Sequence, residues 1–512
     1  MTQMHPGAHA ATTPQKSAVI VAGGSGASSR LTYAELDRRS DRLAQALRAR
    51  GLRVGDVLAL TMANSVDFFV VAWAAQRSGL HYVATPVQAT AEELSYLFKD
   101  SGAKVVIADD AFAATVHQAV SALGAVAPAL FIGTQLEEAG EYAPYEAVEG
   151  SDMLYTSGTT GRPKGVKSAL KLDSLGSDRR RVERARVLYG FDESTVFLVP
   201  APLYHAAPLR FGMTALRLGG TVVVLPRFQA DAALEALRVH AVTHSQWVPT
   251  MFNRLLALPA DARASSTFPA HRVAMHSGAP CAVAVKRRMI DWWGPILHEY
   301  YSGSESVGFT HVTSAEWLAR PGTVGKAYGC KVHILDGDGN ELDPRATGAV
   351  YFESAQKLAY HGDAQKTAAA LGPNGWATMG DLGYVDEDGY LFLTDRSAFT
   401  VVSGGVNVYP REVELALESH ADVREAAVFG VPDADLGERV HAVVAVAENR
   451  LSDATLVAEL LEHARAHIAP YKVPRGIEVR AELPRGATGK LDKRALQREH
   501  RHRLPTAEGR TS

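Results

Sequence analysis

The chain has 512 residues, of which 46% are hydrophobic and 21% charged, with 53 Lys+Arg against 56 Asp+Glu and a net charge of −3. That length predicts two or three domains, and the near-neutral balance excludes bulk nucleic-acid binding, which needs a basic surface against phosphates. Cys281 and Cys330 form no CxxC pair, which argues against a disulfide framework and a cysteine-based zinc site, and no apolar run approaches the ~20 residues of a membrane span.

In chain order, MTQMHPGAHAATTPQ lacks a basic stretch followed by an apolar core, so it is no signal peptide. It reads instead as a disordered leader of about 15 residues. A soluble, cytoplasmic protein is expected, with homodimerisation left open. Leu31–Leu52 carries an amphipathic helical pattern, with Thr32 as N-cap and Gly51 as stop. Asp56–Met62 reads as a buried strand, Phe68–Ser78 as a helix, Tyr82–Thr85 and Ala103–Ala108 as further strands. The rhythm recurs at Val196–Val199, Thr221–Leu225 and His271–His276, and strands alternating with helices predict parallel sheets with crossover helices. From about Gly325 short β-rich runs separated by Gly/Asp turns read as hairpins. One of them, Asp336-Gly337-Asp338-Gly339-Asn340, has Glu341 where a calcium loop needs Gly, so it reads as a turn. After Arg396 a fresh α+β pattern begins, with a helix at Pro410–Ser419, strands at Glu425–Phe429 and Val440–Val446, and a helix near Asp453–His467. The expected fold is therefore α/β: a large N-terminal domain of doubly wound sheets over 1–395 with a closing β-rich subdomain, then a small, mobile α+β domain over 396–512.

The strand Met153–Tyr155 runs into Thr156-Ser157-Gly158-Thr159-Thr160-Gly161, followed by Arg162-Pro163-Lys164-Gly165-Val166. Small residues let a backbone curl around an anion, and its N–H groups and four hydroxyls can donate to phosphate oxygens. Lys164 adds a point charge. Pro163 before Lys164 and Gly165 after it depart from a Walker A loop, which disfavours a kinase or P-loop ATPase. Further along, His276-Ser277-Gly278-Ala279-Pro280 follows a strand, and its small residues would let a flat base approach the backbone. His463 and His467 lie four apart on a helix without a zincin Glu between them, and no G-x-S-x-G elbow is present.

YTSGTTGRPKGV resembles the signature of the adenylate-forming superfamily, in its acyl-CoA synthetase and AMP-dependent ligase branch. The resemblance continues in order through Pro202-Leu203-Tyr204-His205, Glu299-Tyr300-Tyr301-Ser302-Gly303-Ser304-Glu305, Thr378-Met379-Gly380-Asp381, Asp395-Arg396, Ser403-Gly404-Gly405 and Pro484–Lys490. It implies ATP, Mg²⁺ and coenzyme A as ligands, with nucleotide contacts from the phosphate loop, Lys164, Gly278-Ala279-Pro280 and Glu299–Ser302. Tyr301 would stack on adenine and Ser304 would donate to the α-phosphate. Glu305 would hold Mg²⁺, and Asp381 and Arg396 would bind the ribose. His205 would stand at the mouth of the acyl pocket. Ser403, Gly404 and Gly405 would line the pantetheine channel, and Lys490 would be the adenylation catalyst. Ser302 replaces the family's usual Gly and Ser304 its usual Thr, and Ser397-Ala398-Phe399 departs from the commonest hinge.

The acyl pocket is expected between Leu209–Met213 with Phe211, Gln246–Met251 with Trp247, His276–Gly278 with Ser277, and Gly303–Phe309. Its apolar side chains predict a fatty, aryl or polycyclic carboxylic acid. Three alternatives stay open: transfer of the acyl group to a carrier-protein thiol or a partner enzyme, an inactive nucleotide-binding homologue, and luciferase-like oxidation of the adenylate.

Overall fold

Thr32 starts the first long helix by a reciprocal cap: its hydroxyl accepts the Glu35 amide, and the Glu35 carboxylate accepts the Thr32 amide. The helix runs Tyr33–Ala49 and stops ahead of Gly51, whose φ of +91° suits a residue without a side chain. The computed structural model describes residues 4–23, 30–133, 145–156, 163–396, 399, 401–403, 406–433, 436–486 and 491–502. The chain divides into two compact units. One comprises Met1–Gly278, Met289–Ser306 and Leu358–Ala369; the other comprises Ala279–Arg288, Val307–Lys357 and Ala370–Ser512.

The first unit is built on two largely parallel sheets. One runs in the order Leu297–Tyr301, Val273–His276, His244–Trp247, Val196–Val199, Thr221–Val224, Ser17–Val21, with Arg30–Thr32 antiparallel at the end. The other runs Ala129–Ile132, Ala103–Ala108, Val57–Thr61, His81–Ala84, Ser151–Thr156, with Lys164–Lys167 antiparallel at its edge. The helix Val66–Arg77 touches strands of both sheets. Its residues Phe68–Gln76 are buried without a break, as an apolar-all-round sequence requires of a helix held between layers. These are the alternating strands and helices read from the sequence.

One expectation fails here. The N-terminal stretch contains the helix Pro6–Thr12, which starts on Pro6. His9 explains the order: its Nε2 lies 2.9 Å from the Arg217 carbonyl and its ring 5.3 Å from that of Tyr33. Tertiary contacts made by one polar residue override a composition that looks solvated.

The second unit opens its β-rich part with the antiparallel sheet Lys331–Leu335, Gly348–Glu353, Ala377–Val385, Leu391–Arg396. Asp336 closes its turn as expected, its carboxylate accepting the amides of Asp338 and Asn340 at 2.9 Å. The C-terminal part carries the strands Val401–Ser403, Val406–Val408, Val423–Asp433, Gly437–Val446 and Gly476–Arg480. Alternate residues of its two long strands serve different cores. Ala426, Val428, Val440, Ala442 and Val444 face the cluster built with the helices Pro410–Glu418 and Leu456–His467. Ala427, Phe429, Val431, Val443 and Ala445 face Leu496 of the helix Lys493–His502. The architecture is thus α/β, with mixed sheets in the large N-terminal part, a β-rich half-barrel subdomain and a small α+β C-terminal part.

Buried imidazoles make the first unit acid-sensitive. His244 sits on an interior strand, Nε2 within 2.8 Å of the Tyr189 carbonyl and Nδ1 within 2.7 Å of the Thr243 hydroxyl. Burial pushes its pKa down to about 4, and burial pushes that of His271 down to about 3. A histidine that resists protonation only when folded costs stability as pH falls below its unfolded value of about 6.5, until the folded pKa is reached. The urea midpoint is expected to fall between pH 7 and pH 4, and His244→Gln to flatten that fall.

Candidate active site

Strands Ser151–Thr156 and Lys164–Lys167 pair antiparallel, with Thr156 opposite Lys164. The phosphate-loop residues Ser157, Gly158, Thr159, Thr160 and Gly161, and the Thr156 side chain, lie outside the described residues. The base of the loop lies within them. There the bridge Val166–Tyr360 and the hydrogen bond from His361 N–H to the Gly165 carbonyl, 2.8 Å, dock the segment 358–361. That docking brings the Lys164 ammonium 4.8 Å from the centre of the Tyr360 ring, a cation–π distance. The Tyr360 hydroxyl donates to Glu305 Oε1 at 3.1 Å. Lys164, Tyr360 and Glu305 thus form a row of cation, phenol and carboxylate.

Glu305 belongs to a turn that follows the strand Leu297–Tyr301. Ser306 N–H closes it on the Gly303 carbonyl at 3.1 Å, and Ser306 adopts a left-handed φ of +56°, unfavourable for a residue with a side chain. Arg210 holds it there. Its guanidinium donates to Ser306 Oγ at 3.0 Å and to the Ser304 carbonyl at 3.4 Å. Arg210 in turn donates through Nε to Asp152 Oδ2 at 2.9 Å, and Arg181 takes the other oxygen at 3.0 Å. Burial alone would raise the Asp152 carboxyl, but Arg210 and Arg181 outweigh it and hold it far below the ordinary carboxylate range. Asp152 stands in the strand that enters the phosphate loop, so one buried carboxylate joins that strand to the Ser304–Glu305 turn. Sequence reasoning missed Asp152, Arg181, Arg210 and Tyr360. A charged residue inside the apolar strand SDMLYT was the available signal for the first, and Tyr360 carried none.

The remaining expected residues of the first unit fall into two groups. His205 is half-buried at the N-cap of the helix Ala206–Arg217, its ring 4.6 Å from that of Tyr204. Phe211, on the same helix, has its ring 5.6 Å from Tyr300 and 5.8 Å from Tyr189. Burial pushes the Tyr300 hydroxyl up to about 12, so it stays a neutral phenol. Trp247 is fully buried, its indole 5.3 Å from Trp293 and its N–H donating to Ser245 Oγ at 2.5 Å. His276 and Glu299 face each other on paired strands, Nε2 to Oε2 3.7 Å. Ser277 is buried, and Gly278 beside it is exposed with a φ of +87°, which is the backbone reason for glycine at that turn. Tyr301, Ser302, Gly303 and Ser304 are partly exposed.

The second unit holds the rest. Ala279 and Pro280 are exposed. Asp381 is buried, and the register of its hairpin sets it directly opposite Arg396; the Arg396 side chain lies outside the described residues. Ser403 pairs with Val406 across Gly404 and Gly405, which also lie outside. Lys490 does too, but its loop is closed at the base by the bridge Arg485–Leu491 and by Asp492 N–H donating to the Pro484 carbonyl at 2.9 Å. Phe399, in the segment expected as the hinge, lies under the Lys493 ammonium at 5.5 Å.

A cation and a carboxylate gathered at the base of a hairpin on such an α/β sheet suit a phosphate-bearing ligand. The family model described as AMP-binding enzyme matches residues 7–358, and that described as AMP-binding enzyme C-terminal domain matches residues 412–490. A fatty acid–[acyl-carrier-protein] ligase of Streptomyces coeruleorubidus is 31% identical over 96% of this chain and 94% of its own. A feruloyl-CoA synthase of an Amycolatopsis species is 32% identical over 91% and 94%. The o-succinylbenzoate CoA synthetase of Bacillus subtilis, solved in complex with its acyl-adenylate intermediate, superposes with a TM-score of 0.82 at 26% identity, covering 97% of this chain and 98% of that one. The chain therefore belongs to the AMP-binding enzyme family, as an adenylate-forming acid ligase. The Bacillus subtilis synthetase has also been solved with ATP and a magnesium ion.

The residues present fit magnesium. Glu305 offers a partly exposed carboxylate with one hydrogen bond from Tyr360 on Oε1, and Mg²⁺ is commonly held by one or two carboxylates together with phosphate oxygens. Among the described residues no helix is long and apolar enough to cross a membrane.

Asp152→Ala would remove the buried carboxylate shared by two half-buried guanidiniums. Stability is expected to drop by roughly 3–5 kcal/mol, as when one partner of a buried ion pair is removed. The midpoint of the first transition in a denaturant titration reads this directly.

Proposed function

We propose that this enzyme activates a hydrophobic carboxylic acid with ATP, releases pyrophosphate, and passes the acyl group from the adenylate to the thiol of coenzyme A with release of AMP. The observation that carries the reading is the row Lys164–Tyr360–Glu305 at the base of the loop. A carboxylate attacking the α-phosphorus meets another anion, and like charges at bonding distance repel strongly unless positive charge intervenes. In this reading Lys164 and the loop from Thr156 to Gly161 hold the departing phosphates, Ser304 donates to the α-phosphate, and Lys490 places its ammonium where negative charge builds up. Magnesium, when bound, supplies further charge neutralisation, and Glu305 would hold it.

Tyr301 stacks on adenine beside Gly278, Ala279 and Pro280, and Asp381 and Arg396 take the ribose; the register that sets those two opposite each other supports the pairing. His205, Phe211, Trp247, Ser277 and Gly303 belong to the acyl side. The aromatic surroundings of Phe211, with Tyr189, Phe191 and Tyr300, support an apolar acid. Ser403, Gly404 and Gly405 guide the thiol. We place the domain boundary at 395/396, with the C-terminal part turning about it between the two half-reactions.

The second acceptor is a carrier-protein thiol, which the Streptomyces relative's name favours. A panel of fatty, aryl and polycyclic acids, assayed for pyrophosphate release with and without coenzyme A, separates the two. Release with acyl-CoA formation is expected. Release without it moves the acceptor to a carrier protein, and no release with any acid overturns the reading.

Lys490→Ala is expected to slow adenylation by about 10²–10³, the scale of losing one preorganised charge-stabilising donor. Thiolysis of a supplied acyl-adenylate should survive. Equal loss in both half-reactions would contradict separate roles for the two steps.

A further inference from the structure

The C-terminal part of the second unit gathers three metal-ligand side chains from distant positions: His441, Glu478 and His500. Gly437–Val446 and Gly476–Arg480 pair in parallel with His441 opposite Gly476. Glu478, two residues on, therefore projects from the same face of the sheet. The helix Lys493–His502 covers that face, its Leu496 packed with Phe429 and Val443, and His500 lies one turn beyond Leu496. One donor atom from each of the three lies within 4.8 Å of the other two.

Their orientation is set by neighbours. His500 is buried, and its Nδ1 lies 2.8 Å from the Leu496 carbonyl. A carbonyl only accepts, so Nδ1 carries the hydrogen and Nε2 faces Glu478 Oε2 at 3.0 Å. Arg480 Nε donates to the other Glu478 oxygen at 2.5 Å and pairs with Glu499 at 2.9 Å. His441 Nε2 is buried with no hydrogen-bond partner among the described residues, and such atoms call for an explanation. The ring of Phe429 walls the group, 5.6 Å from His441 and 5.3 Å from His500.

We propose that His441, Glu478 and His500 form a zinc-class metal site that fastens the helix Lys493–His502 to the sheet. Two imidazoles and a carboxylate are a zinc ligand set that leaves a fourth position to water. Two nitrogen donors disfavour magnesium and calcium, which take oxygen. The Leu496 carbonyl on His500 and the Arg480 guanidinium on Glu478 are the outer hydrogen bonds that orient such ligands. Arg480 and Arg439 oppose a cation electrostatically, while Glu499, paired with Arg480, offsets them in part.

None of the three residues is among those assigned to adenylation in the proposed function, so the site can be tested by binding alone. The full chain, treated with chelator, is titrated with Zn²⁺ by calorimetry and with Co²⁺ by visible absorption. One tightly bound ion per chain is expected, with the intense d–d bands of tetrahedral cobalt and a higher melting temperature. His441→Ala and Glu478→Gln should each weaken binding at least about tenfold. His420→Ala, in the separate group His420, Asp422 and Glu459, should leave it unchanged. Circular dichroism of the metal-free variants establishes that they fold, and His441→Ala, at the less buried imidazole, keeps the test open if His500→Ala does not fold. Absence of binding, binding unchanged in His441→Ala, or binding lost in His420→Ala would overturn the proposal; the first would leave a His500–Glu478 ion pair in its place.

Discussion

The buried carboxylate of Asp152 organises the candidate site within the first unit. Desolvating a carboxylate costs several kcal/mol unless cations compensate it, and here Arg181 and Arg210 each take one oxygen. Because Arg210 spends its remaining N–H groups on Ser304 and Ser306, the same charge that satisfies Asp152 clamps the turn bearing Glu305. The left-handed Ser306 is tolerable only inside such an over-determined arrangement.

Much of the fold was legible because local chemistry and tertiary structure agree. Thr32 and Glu35 form their cap within four residues, and Val57–Thr61 announces itself by an unbroken apolar run. The N-terminal helix was not legible, since its order comes from His9 meeting Tyr33 and Arg217, partners 24 and 208 positions away. The site divides the same way. Motif order named Lys164, Glu305, Asp381 and Lys490 as candidates, but not the side chains that surround the first two. Tyr360 reaches Glu305 through a bridge to Val166, and no spacing in the chain encodes that encounter. His441, Glu478 and His500 are a stronger case, separated by more than twenty residues at each step and joined only by a parallel register and a helix crossing.

Within each unit the chemistry is distributed by charge. The first unit collects the residues suited to phosphates and metal around Lys164 and Glu305. The second holds the buried Asp381 on a hairpin opposite Arg396, and a loop closed at its base by Arg485 and Leu491.

The pairing of Thr156 with Lys164 also limits how the phosphate loop can evolve. Side chains alternate faces along a strand, so sliding this hairpin by a single residue would send Lys164 to the opposite side of the sheet, away from Tyr360. Exchanges of one small residue for another between the two strands leave that register intact. An insertion or deletion within either strand would not, so the strands are under tighter constraint in length than the segment between them is in composition.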